Sequence, residues 1–492
     1  MELIDKDLQS VQEVRCLLNA AQKAQEVLAT FDQCKIDKIV KAIADAGFRN
    51  AEKLAKMANE ETGFGRWEDK IIKNTFGSKG IYEAIKDQKT IGILEDNKVE
   101  KTLEIGIPVG VIAGIVPSTN PTSTVMYKTL ISIKAGSCII FSPHPSAKNC
   151  IKATVDILRE AAEAAGCPKG AIATITIPTL QATQELMKHP ITKLILATGG
   201  PAMVKSAYSS GTPAIGVGAG NGPAFIDKSA DLKLAVKRIL DSKTFDNGTI
   251  CASEQSIMVE RCMEDKVVAE FKAQGGYFLN QEEADQLSRF ILRPNGSMNP
   301  QIVGKSVEHI AKLAGLTKVP SSARVLIAKE TRVGHDFPYS REKLAPILAF
   351  YVEDNVDAVL KKAQEVLHLE GRGHTFCIHA NDDALIKRFA LAIPASRILV
   401  NTLGALGGVG GTTNLFPALT LGCGAVGGSS STNNIGPIDL INIKRIAYGV
   451  KEIEDLRKEA GMCNQGSSCQ SNSCCTETLV DELVKRIMKE LI

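Results

Sequence analysis

No run of about 18 uninterrupted apolar residues occurs in this chain, which excludes a membrane-spanning helix of ordinary length. A basic block is missing too: the net charge of +3 is spread along 492 residues, so nucleic acid is not an expected partner. Met1 to Gln12 holds acids and no apolar centre, so no secretory leader is expected there. Zinc-ligand spacing is absent. Cys463, Cys469, Cys474 and Cys475 follow one another at intervals of six, five and one with no histidine nearby, and no metal is expected. Asn299-Pro300-Gln301-Ile302-Val303-Gly304-Lys305-Ser306 lacks the first glycine of a phosphate loop, which argues against a kinase or ATPase. Gly422-Cys423-Gly424-Ala425-Val426-Gly427 does spell a dinucleotide fingerprint. The Gly428-Ser429-Ser430-Ser431-Thr432 that follows opens no helix, however, and Gly404 to Gly428 reads as loop.

What is present is the composition of a globular protein, with 44% hydrophobic and 23% charged residues and length enough for two or three domains. The 13 cysteines read as reduced thiols, which implies a cytoplasmic compartment. Leu8, Val11, Val14 and Leu18, then Ile36, Ile39, Val40 and Ile43, recur at helical spacing. From Leu103 the pattern turns to strands, and units alternate: strand Ser137 to Phe141, helix Ala147 to Ala165, strand Lys193 to Ala197, helix Pro201 to Ser209. A second such series starts near Leu232 and runs through Ile257 to Val259, Arg324 to Ala328, Ile347 to Val352 and Arg397 to Val400. Strands alternating with helices predict an α/β fold with parallel, helix-flanked sheets.

Cys251 stands in Phe245-Asp246-Asn247-Gly248-Thr249-Ile250-Cys251-Ala252-Ser253, after a turn and before small residues. A substrate can approach such a backbone closely, and a cysteine thiolate is a strong nucleophile. Other segments spaced along the chain are Gly114-Ile115-Val116-Pro117-Ser118-Thr119-Asn120-Pro121, Ser142-Pro143-His144-Pro145, Ala197-Thr198-Gly199-Gly200, Glu342-Lys343-Leu344-Ala345-Pro346 and Gly373-His374-Thr375. With these, the chain from roughly residue 10 to roughly residue 450 resembles the CoA-acylating aldehyde dehydrogenases. It is most similar to the acetaldehyde dehydrogenase half of bifunctional alcohol–aldehyde enzymes and to succinate-semialdehyde and sulfoacetaldehyde relatives.

The resemblance implies an aldehyde dehydrogenase-like fold, with two Rossmann-like α/β domains and a small strand-mediated oligomerisation element. The implied layout is a NAD-binding domain at 1–225, with 95–108 contributing to oligomerisation, and a catalytic cysteine domain at 226–428. A return segment and oligomerisation strand at 429–460, a linker at 461–475 and an amphipathic helix at 476–492 complete it. Cys251 is then the nucleophile, and Asn120 with the Cys251 N–H meets the oxyanion. His374, in a Gly-His-Thr turn, is the candidate base for the CoA thiol, a bland structural role being equally open. Pro117, Ser118, Ser142, His144, Pro145, Thr198, Gly199, Gly200, Gly218 and Glu342 are the implied cofactor-binding residues. NAD is the expected cofactor, with NADP left open because no acidic discriminator follows the strand near Pro145. Hydrolytic members carry a glutamate base where this chain reads Gly216-Val217-Gly218-Ala219-Gly220-Asn221. Without it, coenzyme A is the expected acyl acceptor in a ping-pong, reversible reaction.

The expected substrate is acetaldehyde or propionaldehyde, with sulfoacetaldehyde or succinate semialdehyde as alternatives. A hydrolytic dehydrogenase and a non-catalytic compartment component are the other readings. Near the end, Thr478 with Asp481 makes a capping pattern, and Leu479, Val480, Leu483, Val484, Ile487, Met488 and Leu491 form one apolar stripe. This helix either packs on its own protein or docks elsewhere, and it resembles the encapsulation peptides that carry enzymes into bacterial microcompartments. A shell protein or co-encapsulated enzymes are thus possible partners, beside a homodimer or homotetramer paired through Lys101 to Ile107 and Leu440 to Tyr448.

Overall fold

The computed structural model describes residues 4–462. Helices come first, at Lys6–Leu28, Gln33–Arg49, Ala51–Thr62 and Trp67–Thr75. Asp5 and Asp32 cap the first two by accepting backbone N–H bonds. The predicted stripes, Val14 and Leu18 with Ile36, Ile39, Val40 and Ile43, are the buried faces.

Two strands follow, β1 (Gly92–Asn97) and β2 (Thr102–Pro108). The next five make a parallel sheet: β3 (Val111–Val116), β4 (Ile139–Pro143), β5 (Ile172–Thr174), β6 (Thr192–Thr198) and β7 (Ala214–Val217). Its order is β5-β4-β3-β6-β7. The order reverses beside β3, and in such sheets the crevice beyond the strand ends at the reversal is where ligands bind. The helix after β3, Pro121–Lys134, is buried along its whole length. Lys128 pins it down by donating to the carbonyls of Ile115 and Leu196, each at 2.8 Å, so one cation ties β3 to β6. Burial alone pushes that lysine's pKa down to about 7.

A second parallel sheet holds β8 (Gly222–Ile226), β9 (Glu254–Glu260), β10 (Gly276–Phe278), β11 (Val325–Lys329), β12 (Ile347–Glu353), β13 (Gly373–His379) and β14 (Ala395–Val400), ordered β10-β11-β12-β9-β8-β13-β14. Three findings correct the sequence reading. β8 already belongs to this sheet, so the two sheets part between Val217 and Gly222 and a boundary at 225/226 cuts a strand. The Gly373-His374-Thr375 segment is no turn but the start of β13, buried at every position. Gly404–Gly408 forms a short helix inside the stretch expected to be loop. Gly422 and Gly427 of the fingerprint-like run pack against the carbonyls of Ser431 and Arg372, a role that needs no nucleotide.

The last strand, β15 (Ile441–Ala447), joins the first two in a sheet ordered β1-β2-β15. Residues 95–103 with the described residues from 445 form one compact unit, and the other described residues form another. Ile443 and Ile446 on β15 are exposed, as is Tyr448 just after it. Among the described residues no helix is long and apolar enough to cross a membrane, and no acid, histidine and cysteine group could hold a metal ion. The linker cysteines Cys463, Cys469, Cys474 and Cys475 and the helix expected at 476–492 lie outside the described residues.

Candidate active site

The turn before Cys251 has an uncommon backbone. Asp246 and Asn247 both adopt left-handed conformations, with φ of 49° and 51°. Such a region costs an L-residue roughly 1–2 kcal/mol, and Asp and Asn enter it most readily. A buried ion cluster holds it. The Asp246 carboxylate accepts from Lys70 Nζ at 2.9 Å, from Lys73 Nζ, from Thr249 Oγ1 at 2.7 Å and from the Arg66 N–H at 2.7 Å. Lys70 and Lys73 lie one turn apart on Trp67–Thr75, so both ammonium groups reach one acid. A side chain at Gly65 would collide with the Asp246 carboxylate. The two lysines hold the Asp246 pKa below the ordinary carboxylate value despite its burial.

Cys251 itself opens onto a cavity of about 240 Å³ shared with Pro117, Ser118, Asn120, His144, Thr198, Gly199, Gly200, Gly218 and Glu342. Most of the expected site residues therefore converge on one place. Ser142 and Pro145 line an adjoining cavity of about 260 Å³, which shares Pro117, His144, Thr198, Gly199 and Gly200 with the first. Asn120 is the N-cap residue of Pro121–Lys134 yet caps nothing. Its Oδ1 accepts from Lys73 Nζ at 2.6 Å, and its Nδ2 donates to the Thr249 carbonyl at 3.1 Å and to Thr119 Oγ1 at 3.3 Å.

The wall at 216–221 offers no carboxylate, and a side chain at Gly220 would collide with the Cys251 carbonyl. Glu342 is the acid that remains among the cavity residues described. Its Oε1 accepts from the Gly220 N–H at 2.9 Å, while burial and the neighbouring Glu370 push its pKa up to about 8. Burial, Glu342 and Cys423 together push the Cys251 thiol up to about 12, against the pull of Arg397 and of its own N–H. The resting thiol is therefore protonated at neutral pH. Alkylation of the Cys251 peptide by iodoacetamide, followed by mass spectrometry, should rise about tenfold per unit from pH 7 to pH 10. A plateau near pH 8 would contradict this.

His374 stands apart. It is fully buried on β13, its Nδ1 pairs with Thr375 Oγ1 at 2.8 Å, and it does not line either cavity. Its Nε2 has no partner among the described residues. Burial and Arg397 press its pKa down to about 3, so it is a neutral and weak base. Sequence reasoning missed Lys70, Lys73 and Asp246. The one available signal was Asp246-Asn247-Gly248, residues that favour left-handed turns and so mark a backbone needing support.

The adjoining cavity suits a dinucleotide. Among the described residues Thr198 Oγ1 is buried without a partner, and a side chain at Gly200 would meet only open space. Helix Pro201–Tyr208 begins there with no side-chain cap, leaving first-turn N–H groups for a phosphate.

A family model described as "Aldehyde dehydrogenase family" matches residues 4–314. The chain belongs to the aldehyde dehydrogenase family. It is 47% identical over 443 residues to the bifunctional aldehyde-alcohol dehydrogenase of Escherichia coli (strain K12), covering 89% of this chain and 50% of that one. This aldehyde dehydrogenase chain thus spans about half the length of the curated relatives it matches first. Among solved structures, a probable aldehyde dehydrogenase from Listeria monocytogenes EGD-e has TM-score 0.91 and 66% identity over 92% of this chain and 100% of that one. An acetylating aldehyde dehydrogenase from Geobacillus thermoglucosidasius has TM-score 0.90 and 52% identity over 92% and 99%. Two propionaldehyde dehydrogenases match over 88% of this chain. One, from a Clostridium phytofermentans fucose-utilisation microcompartment, has TM-score 0.80, 28% identity and 97% of its own chain covered. The other, from Rhodopseudomonas palustris with bound CoA and an acylated cysteine, has TM-score 0.79, 26% identity and 97% covered.

Proposed function

We propose that this chain oxidises a small, uncharged aldehyde and passes the acyl group to coenzyme A, giving an acyl-CoA and a reduced nicotinamide cofactor. The observation that carries this is the cavity wall at Gly218 to Gly220, which presents no ionised base to water beside Cys251. Glu342 is mostly protonated at neutral pH and bonded to Gly220, so it does not activate water either. A thiol acceptor needs less help, because a thiol ionises far more readily than water.

The Cys251 sulfur, once ionised, attacks the aldehyde carbon and makes a hemithioacetal with a negative oxygen. Asn120 Nδ2, through the N–H now held weakly by Thr119, and the Cys251 N–H are the donors for that charge. The nicotinamide supplies a hydride acceptor when bound. Loss of hydride from the same carbon leaves a thioester on Cys251. Attack by the CoA thiolate then re-forms a tetrahedral oxygen in the same donors, and expulsion of the Cys251 thiolate releases the acyl-CoA. Thr198, Gly199 and Gly200 are the residues we assign to the cofactor pyrophosphate, Ser142, His144 and Pro145 to its adenosine end, and Glu342 to the nicotinamide ribose. NAD is favoured over NADP because no Arg or Lys lines the adjoining cavity among the described residues, and a 2′-phosphate calls for one. The same lack in the cavity of Cys251 favours acetaldehyde or propionaldehyde over sulfonated or carboxylated aldehydes.

The test is acetaldehyde with NAD, with and without CoA, and mass spectrometry of the product. One turnover of NADH per subunit without CoA, then steady acetyl-CoA formation with it, is expected. Free acetate at a CoA-independent rate would establish the hydrolytic reading instead. We further propose, from the apolar stripe at Leu479 to Leu491, that the C-terminal segment docks to a microcompartment component, and that β2 and β15 pair protomers. The microcompartment origin of one structural neighbour and the exposed apolar residues of β15 support these.

A further inference from the structure

We propose that Lys73 is a positioning residue for Asn120, its ammonium orienting and polarising the carboxamide that meets the oxyanion. This rests on the acylating reading above only for the role of Asn120. The bonds around the amide admit one orientation. An ammonium only donates, so the Asn120 oxygen must face Lys73; the Thr249 carbonyl only accepts, so the Asn120 nitrogen must face the Cys251 segment. A flipped amide would lose both bonds at once.

Lys73 has nowhere else to go. Its ammonium meets three acceptors, Asn120 Oδ1, the Asp246 carboxylate and Thr249 Oγ1, and its side chain is only 4% exposed. Lys70 reinforces the arrangement from one turn earlier, bonding Asp246 and, at 3.2 Å, the carbonyl of Thr119 beside Asn120. Two cations thus share the Asp246 carboxylate, with Asp69 the next acid, half-buried and bonded to the Asp246 N–H at 2.8 Å. The cation pressed on the amide oxygen draws electron density from its N–H bonds, and in a low-dielectric site a more polarised donor binds a developing oxyanion more strongly.

The experiment reads the single-turnover NADH burst without CoA, a step that precedes discharge of the thioester. Whether the wild type then needs CoA is scored separately, so failure of the acylating reading and failure of the positioning role are told apart. Lys73→Met should slow the burst about 10–100-fold while the KM for aldehyde and cofactor stays within about twofold. Lys73→Arg should recover to within about threefold of wild type. In an Asn120→Ala background the same Lys73→Met change should add less than about twofold, because the two act through one donor. A burst within about threefold of wild type in Lys73→Met, or a loss equally large with Asn120 already gone, would overturn the proposal and leave Lys73 as support for the turn. Should Lys73→Met not fold, Lys73→Gln, which keeps a donor without the charge, carries the same comparisons.

Discussion

Cys251→Ala is expected to cut aldehyde-dependent NADH formation by at least about 10⁴-fold, without moving the thermal transition appreciably. The size follows from the chemistry: without the sulfur no covalent intermediate forms, and binding and oxyanion donors alone recover little. The small effect on stability follows from where Cys251 sits, since it opens onto the cavity rather than filling the core. Asn120→Ala should be milder, about 10²–10³-fold in kcat, the usual cost of one oxyanion donor. Steady-state rates with acetaldehyde, NAD and CoA, next to a calorimetric scan, check both. Turnover persisting in Cys251→Ala would point to a different nucleophile.

Asp246→Ala should have the largest effect on stability, roughly 3–5 kcal/mol by urea denaturation, because it strips a counter-ion from two buried lysines. It also frees a backbone that two left-handed residues make costly. The pH dependence has a definite sign. The folded carboxylate has a depressed pKa, so its contribution is full above the unfolded value of about 3.9 and disappears as pH falls through the folded one. The gap between wild type and variant should therefore close in acid. A difference below about 1 kcal/mol at neutral pH would show that the cluster does not brace the turn.

Much of the framework was legible from periodicity. The first two helices bury the apolar stripes that their spacing marks, and β9, β11 and β12 fall on the apolar runs expected as strands, β9 extending beyond its run at both ends. β8 and β13 were not seen, and each for a physical reason. Gly222-Pro223 and Gly373-His374 are turn signals in isolation, overridden here by burial between neighbouring strands. Cys251 and Asn120 stood out because their chemistry is tied to local motifs. The Lys70–Asp246–Lys73 cluster joins residues more than 170 positions apart, and a lysine on a helix reads as solvated until tertiary packing is known.

That cluster also bears on how divisible the molecule is. The helix Trp67–Thr75 precedes both large sheets, yet it contributes the cations that fasten the loop carrying the reactive sulfur. A fragment trimmed to start at β3 would retain every strand of those sheets and the cysteine itself. It would nonetheless leave Asp246 stranded and Asn120 unsteadied, so the α/β core is not a self-sufficient minimal catalyst. The leading helices are part of the machinery rather than packaging around it.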